Sequence, residues 1–241
     1  MRYELRSILV HYPALFLPLA KLQLGRGRGE AIMRDTALVI EGYPRCGNTF
    51  AVTAFRQAQR RAIKIAHHLH APAQIITAAK LRVPVLLLIR EPVETVLSNL
   101  MLFQPPLISA RQAFRDYVRF YSAILPYREA VVTATFQEVT TDFGAIIQRV
   151  NQKFGTVFDE FDHTESNVNA CFQNIENAHV RQFGQVLEAF GARPSQERDR
   201  RKAKIRRQLR CELEGDQLAE FRAVAGNLYK VLTTTRDATT H

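Results

Sequence analysis

Tryptophan is absent from the chain and cysteine is scarce. The three cysteines, Cys46, Cys171 and Cys211, are odd in number and far apart. They form neither a disulfide framework nor a zinc-ligand spacing, and they point to a reducing, cytoplasmic setting. Long apolar runs are also lacking. The run near the N-terminus, Ile8 to Ala20, spans 13 residues and is interrupted by His11, Pro13 and Pro18. A membrane-crossing helix needs about 20. The run has no small-residue cleavage site after it, so residues 1–36 are expected to dock on the core or to touch a membrane surface. No internal repeat or low-complexity tract occurs, which excludes solenoid and fibrous architectures.

Acidic residues are the next shortage: 23 Asp and Glu face 33 Lys and Arg, a formal charge of +10. With 241 residues and 46% hydrophobic content, the chain suits one compact domain with a sizeable core. The basic excess implies an anionic partner: nucleic acid, a membrane surface or a polyanionic small molecule. Nine of the cations fall between Arg193 and Arg210, opposed only by Glu197 and Asp199. That stretch reads as a basic helix, either a solvated face or an anion-facing element.

Short apolar runs alternate with helical patterns. Strands are predicted at 37–41, 63–66, 84–89 and 131–136, and helices at 49–60, 73–81, 93–103, 110–125, 141–154, 195–213 and 217–232. Continuous apolar strands separated by helices imply parallel pairing with right-handed crossovers. The expected fold is α/β: three α/β/α layers around a mainly parallel sheet, with residues 37–241 as the main domain. The stretch 159–178 reads as loop-like and, with 101–107, as lining for a variable pocket.

Two loops carry the chemical signal. Gly42-Tyr-Pro-Arg-Cys-Gly47-Asn48-Thr49 follows a strand and opens a helix, where backbone N–H groups converge on an anion. The spacing G-x-x-x-x-G fits a nucleoside-triphosphatase (NTPase) phosphate loop, but Asn48 stands where that motif requires Lys. The cation is displaced to Arg45. The strand 84–89 ends in Arg90, where a metal-dependent NTPase would place a carboxylate. An arginine there clamps phosphate bidentately. Ser98, eight residues on, adds a hydroxyl. Together the loops imply a ligand with two anionic ends and no metal.

These residues resemble the PAPS-dependent sulfotransferases (PAPS is 3′-phosphoadenosine 5′-phosphosulfate). Tyr43 to Phe50 is similar to their 5′-phosphosulfate loop, Y-P-K-S-G-T-T-W, and Arg90 to Ser98 resembles their 3′-phosphate motif. His68-Leu69, with His68 22 residues before Arg90, is similar to the family's His-Leu. A weaker likeness covers 135–154. Departures are Arg45 for Lys, Cys46 for Ser, Asn48 for Thr, Phe50 for Trp and Phe136 for Tyr. No clear R-K-G loop occurs, and Arg198, Arg201 and Lys202 are the candidates to replace it.

The resemblance implies a P-loop NTPase-like fold and sulfuryl transfer from PAPS to a hydroxyl on a small-molecule, carbohydrate or lipid acceptor. Arg45, Cys46, Gly47, Asn48, Thr49 and Phe50 would hold the 5′ end of the donor. Arg90 and Ser98, with Arg198 and Lys202, would hold the 3′-phosphate. Arg45 would stabilise charge on the leaving oxygen, and His68 would be the general base, with His67 and His70 as neighbouring candidates. Two other readings compete: a P-loop nucleotide kinase or NTPase, and a nucleic-acid-binding module built on 193–210.

Overall fold

The computed structural model describes residues 9–22, 30–102, 107–186 and 193–234. Residues 1–8 and 23–29 of the N-terminal segment, and 103–106 of the expected pocket lining, lie outside the described residues.

Four strands form the sheet: β1 (Leu38–Gly42), β2 (Ile65–His67), β3 (Val85–Ile89) and β4 (Val132–Thr135). They run in the order β2-β1-β3-β4, and every pairing is parallel. β1 and β3 are buried at every position, which is why they read as apolar runs, broken in β1 only by Glu41, rather than as alternations. Helices cover both faces. One layer holds α2 (Asn48–Ala58), α6 (Phe136–Thr141), α7 (Phe143–Phe154) and α8 (Glu165–Phe183). The other holds α1 (Pro13–Leu22), α3 (Pro72–Lys80), α4 (Pro92–Leu100), α5 (Ala110–Ile124), α9 (Gln196–Glu214) and α10 (Ala219–Thr234). The fold is therefore a three-layer α/β/α domain.

Chain order reverses between β1 and β3, because β2 lies to one side of β1 and β3 to the other. In open parallel sheets the loops leaving two such strands diverge and open a crevice beyond their C-terminal ends. The β1–α2 and β3–α4 loops flank that crevice.

Several elements differ from the sequence expectation. The stretch 159–178 is not a loop beyond residue 164. Thr164 caps a 19-residue helix, α8, by accepting the Asn167 N–H. Its sequence carries Asn167, Asn169, Asn174 and Asn177, poor helix formers that mask the narrow apolar stripe of Val168, Cys171, Phe172 and Ile175. The helix expected at 141–154 is α7, and a short helix not expected from the sequence, α6, precedes it and joins it at Asp142. A capping box at Thr135/Glu138 starts α6 directly at the end of β4.

In the N-terminal segment, α1 carries Pro13 in its first turn and tolerates Pro18 inside. It docks on α3, with Leu17 buried and the Val10 carbonyl accepting the Ala73 N–H at 3.0 Å. Tyr12, Leu15 and Leu19 remain exposed. Among the described residues, no helix is long and apolar enough to cross a membrane.

Candidate active site

The loop after β1 turns sharply through two left-handed residues, Arg45 (φ 75°) and Gly47 (φ 90°). Gly47 suits this conformation, and a Cβ there would also meet Phe136 and Val139 at 3.4 Å. A non-glycine residue in this region is strained by about 1–3 kcal/mol, so Arg45 is held there by its surroundings. Asn48 pins the loop by donating a side-chain N–H to the Tyr43 carbonyl (3.1 Å). This spends one of the amide donors expected for the ligand and leaves Asn48 Oδ1 as a buried acceptor with no protein partner among the described residues.

Cys46 points away from the crevice. Tyr121 donates its hydroxyl to the Leu88 carbonyl (2.7 Å) and lies 3.3 Å from Cys46 Sγ. With its only proton on Leu88, the tyrosine oxygen accepts from the thiol and from the Tyr43 N–H (3.4 Å). Burial pushes the Cys46 thiol up to about 11, so it stays protonated. Cys46 therefore ties the loop to β3, and only its backbone is available to a ligand. Phe50 is buried as well, packed against Phe161, Phe172 and His163.

The cations do converge. Arg45 donates through Nε to Ser98 Oγ (2.9 Å), and Arg90 donates through Nη1 to the Arg45 carbonyl (3.4 Å). Arg45 is shifted below its ordinary value, first by burial and then by the charges of Arg90 and Arg198. Arg90 is lowered chiefly by burial, with Cys46 and Glu94 opposing and Arg206 adding to the shift. A guanidinium remains protonated despite such shifts, so these are fixed positive charges in a partly desolvated place. Arg90 also lies 4.2 Å over the Phe136 ring, which holds the guanidinium flat. Ser98, expected beside Arg90, accepts from Arg45, and Phe136, expected only to lack a tyrosine's hydroxyl, lies under the Arg90 guanidinium.

The basic stretch divides by helical face. On α9, Arg198, Lys202, Arg206 and Arg210 are partly buried toward the body, while Arg200, Arg201, Lys204 and Arg207 are exposed. Glu94 of α4 anchors the inward face through Arg206 (3.7 Å) and Arg210, and it also reaches Arg90 (3.6 Å). Arg198 is near enough to shift Arg45. Lys202 shares the inward face, one turn beyond Arg198.

On the other side of the phosphate loop stand three histidines. His68 Nε2 lies 3.2 Å from Thr49 Oγ1, and His68 Nδ1 lies 2.7 Å from His67 Nδ1. His70 Nδ1 donates to the Gly42 carbonyl at 2.8 Å. His68 and His70 are both left-handed (φ 57° and 49°). Glu41, fully buried at the end of β1, holds this strained turn: its Oε2 accepts from the Leu69 N–H (2.9 Å) and from Gln74 Nε2 (3.0 Å). Gln74 in turn accepts the Ile32 N–H at 3.0 Å. Sequence reasoning missed Glu41; a charged residue inside the otherwise apolar run LVIE was the available signal.

These groups line one cavity of about 1350 Å³. It holds Arg45, Thr49, His68, Arg90 and Phe136 at one end, and Val168, Phe172, Ile175 and Phe183 of α8 along an apolar wall. Single-ligand pockets are typically about 300–1,000 Å³, so this one has room for two substrates. Among the described residues, no group of three or more His, Cys, Asp or Glu side chains is arranged to hold a metal ion.

No family model matches the chain. No curated protein matches it either. Among solved structures, mouse sulfotransferase SULT7A1 complexed with PAP is similar over 83% of this chain and 91% of its own, at 12% identity and a TM-score of 0.43. At that identity, nothing about ligand or activity carries over to this chain.

Proposed function

We propose that the chain is a sulfotransferase that moves a sulfuryl group from PAPS to an acceptor hydroxyl. The observation that carries this reading is the meeting of Arg45 and Arg90 at the sheet's switch point, beside the N-terminus of α2, with Arg198 near enough to shift Arg45. These cations and the N–H groups at a helix N-terminus suit a ligand with anions at two ends. When bound, the donor supplies an activated sulfuryl group and a phosphate leaving group.

The chain's own residues then have distinct tasks. The 45–49 backbone and the Thr49 hydroxyl hold the 5′ end. Arg90 and Arg198 hold the 3′-phosphate, with Lys202 one turn further along α9. Arg45 neutralises charge as the sulfur–oxygen bond lengthens, which it does electrostatically because a guanidinium does not give up its proton. His68, next to Thr49 and facing the same cavity, receives the acceptor proton. The apolar wall of α8 favours an acceptor with a hydrophobic body, a lipid-like alcohol or phenol over a bare sugar.

Thermal shift with PAP (3′,5′-bisphosphoadenosine), ATP and an oligonucleotide in parallel, without Mg²⁺, tests the class. At about 100 times its Kd, PAP should add about 2.7 kcal/mol. For a domain of this size that is roughly 5–10 °C in Tm. Equal stabilisation by ATP would favour a kinase or NTPase, and stabilisation by the oligonucleotide alone would favour nucleic-acid binding through α9.

A further inference from the structure

Around His68 the hydrogen bonds form a chain whose direction is fixed at one end. Arg56 Nη2 donates to His67 Nε2 (3.0 Å) and to Glu30 Oε1 (2.9 Å). A guanidinium has no acceptor, so His67 Nε2 carries a bare lone pair here. Burial and the Arg56 charge hold the His67 pKa well below the ordinary imidazole value, so the ring is neutral and its single proton sits on Nδ1. That proton points at His68 Nδ1, 2.7 Å away, which must therefore accept. A neutral His68 then carries its proton on Nε2 and donates it to Thr49 Oγ1. In this arrangement His68 is a donor toward the phosphate loop, the opposite of a base.

The outer end of the chain offers a second setting. Glu30 Oε1 lies 3.5 Å from His67 Nε2, and the backbones of Glu30 and His67 exchange hydrogen bonds of 2.9 and 3.0 Å that keep them side by side. If Arg56 swings away, Glu30 can accept an Nε2 proton from His67. Both tautomers then reverse, and His68 Nε2 is left bare toward the cavity. Glu30 and Arg56 are each about half-exposed, so the exchange needs no opening of the core.

We propose that His67 is the positioning residue that sets the proton on His68, and that Glu30 and Arg56 form a two-position switch and outlet for that proton. The inference rests on the sulfuryl-transfer reading. In the reversed setting the acceptor oxygen bonds to sulfur, and its proton passes to His68 Nε2. The His68 Nδ1 proton passes to His67 Nδ1, and the His67 Nε2 proton passes to Glu30, which releases it to water. The sulfur–oxygen bond to the leaving phosphate breaks with its electron pair on oxygen, beside Arg45. Arg56 then re-engages, which gives the arrangement seen in this structure. After product release, one proton entering at His67 Nε2 and one leaving from His68 Nε2 restore the reversed setting. His70 also acts on His67, and Glu41 lies 3.6 Å behind His70.

Two measurements test this. Long-range ¹⁵N–¹H spectra of the imidazoles should show His67 protonated at Nδ1 and His68 at Nε2, and Arg56→Met should reverse both. An Nε2 proton on His67 in the wild type, or tautomers unchanged in Arg56→Met, would overturn the wiring. For catalysis, PAPS is supplied with a panel of 2-naphthol, 1-decanol and cholesterol. Glu30→Gln keeps the contact with Arg56 but takes no proton, so kcat should fall at least tenfold while PAP affinity stays unchanged. A change within twofold overturns the outlet role. Absence of any transfer by the wild type overturns the sulfotransferase reading and the relay with it, whereas the nitrogen spectra still report the wiring.

Discussion

Glu41 shows how far a single residue's role depends on contacts remote in sequence. It has no exposed surface, and burial lifts its pKa to about 8 although Leu69, Gly42, His70 and Gln74 all pull the other way. A carboxyl raised in the folded state favours folding below its unfolded value near 4.5, and that contribution is lost as pH climbs toward 8. The slope is about 1.4 kcal/mol per pH unit for one proton. His67, shifted downward, acts in the opposite sense and only in acid, since its contribution is present above the ordinary imidazole value and fades below it. Between pH 6.5 and 8 the loss of the Glu41 contribution should therefore dominate. Urea midpoints of the wild type should fall across that range, while Glu41→Gln should give a flatter profile. Parallel profiles would remove Glu41 as the cause. In sequence, Glu41 is one carboxylate at the end of an apolar strand. Its grip on the strained 68–70 turn needs Leu69 and Gln74 to arrive from 28 and 33 residues away. Arg45 and Arg90 were legible because each stands at the end of a strand that announces itself. The partner of Ser98 was not, since spacing along one helix says nothing about a side chain on another loop.

Among the elements, β1 and β3 and their following loops could be read almost directly, because full burial leaves a run of apolar residues between breakers, interrupted in β1 only by Glu41. α8 could not, because its asparagines read as loop and its stripe is narrow. α9 was visible as a basic helix, but its two faces appear only once Glu94 is placed against it. That carboxylate collects Arg90, Arg206 and Arg210 and ties α9 to α4. Hydrogen bonds to charged groups contribute about 1.5–3 kcal/mol each, and a partly buried cluster is not additive. Glu94→Gln should cost roughly 2 kcal/mol, read as a lower urea midpoint, and PAP affinity should drop because Arg198 loses its seat. Arg207→Gln, on the exposed face, should change stability by less than about 0.5 kcal/mol. If both variants behave alike, Glu94 does not anchor the helix.

At the scale of the whole molecule, the excess of ten positive charges acts beyond the contacts of any one side chain. Some of it is fixed in the crevice as Arg45 and Arg90, with Arg198 near enough to act on Arg45, and some is exposed on α9 as Arg200, Arg201, Lys204 and Arg207. These two sets should govern different rate constants. If the crevice charges hold the donor as proposed, Arg198→Gln should raise the PAP dissociation rate, by about tenfold for one charged hydrogen bond. Charges on the exposed face of α9 act on an arriving ligand through their field, which salt screens over about 10 Å at 0.1 M, and so act chiefly by steering. Neutralising all four to Gln should slow PAP association severalfold, flatten its dependence on salt and leave dissociation within twofold. Stopped-flow binding at 25 and 250 mM salt separates the two. Should the quadruple variant instead speed dissociation while association holds, the outer face of α9 would be part of the site, and the division of the helix into anchoring and steering faces would fail.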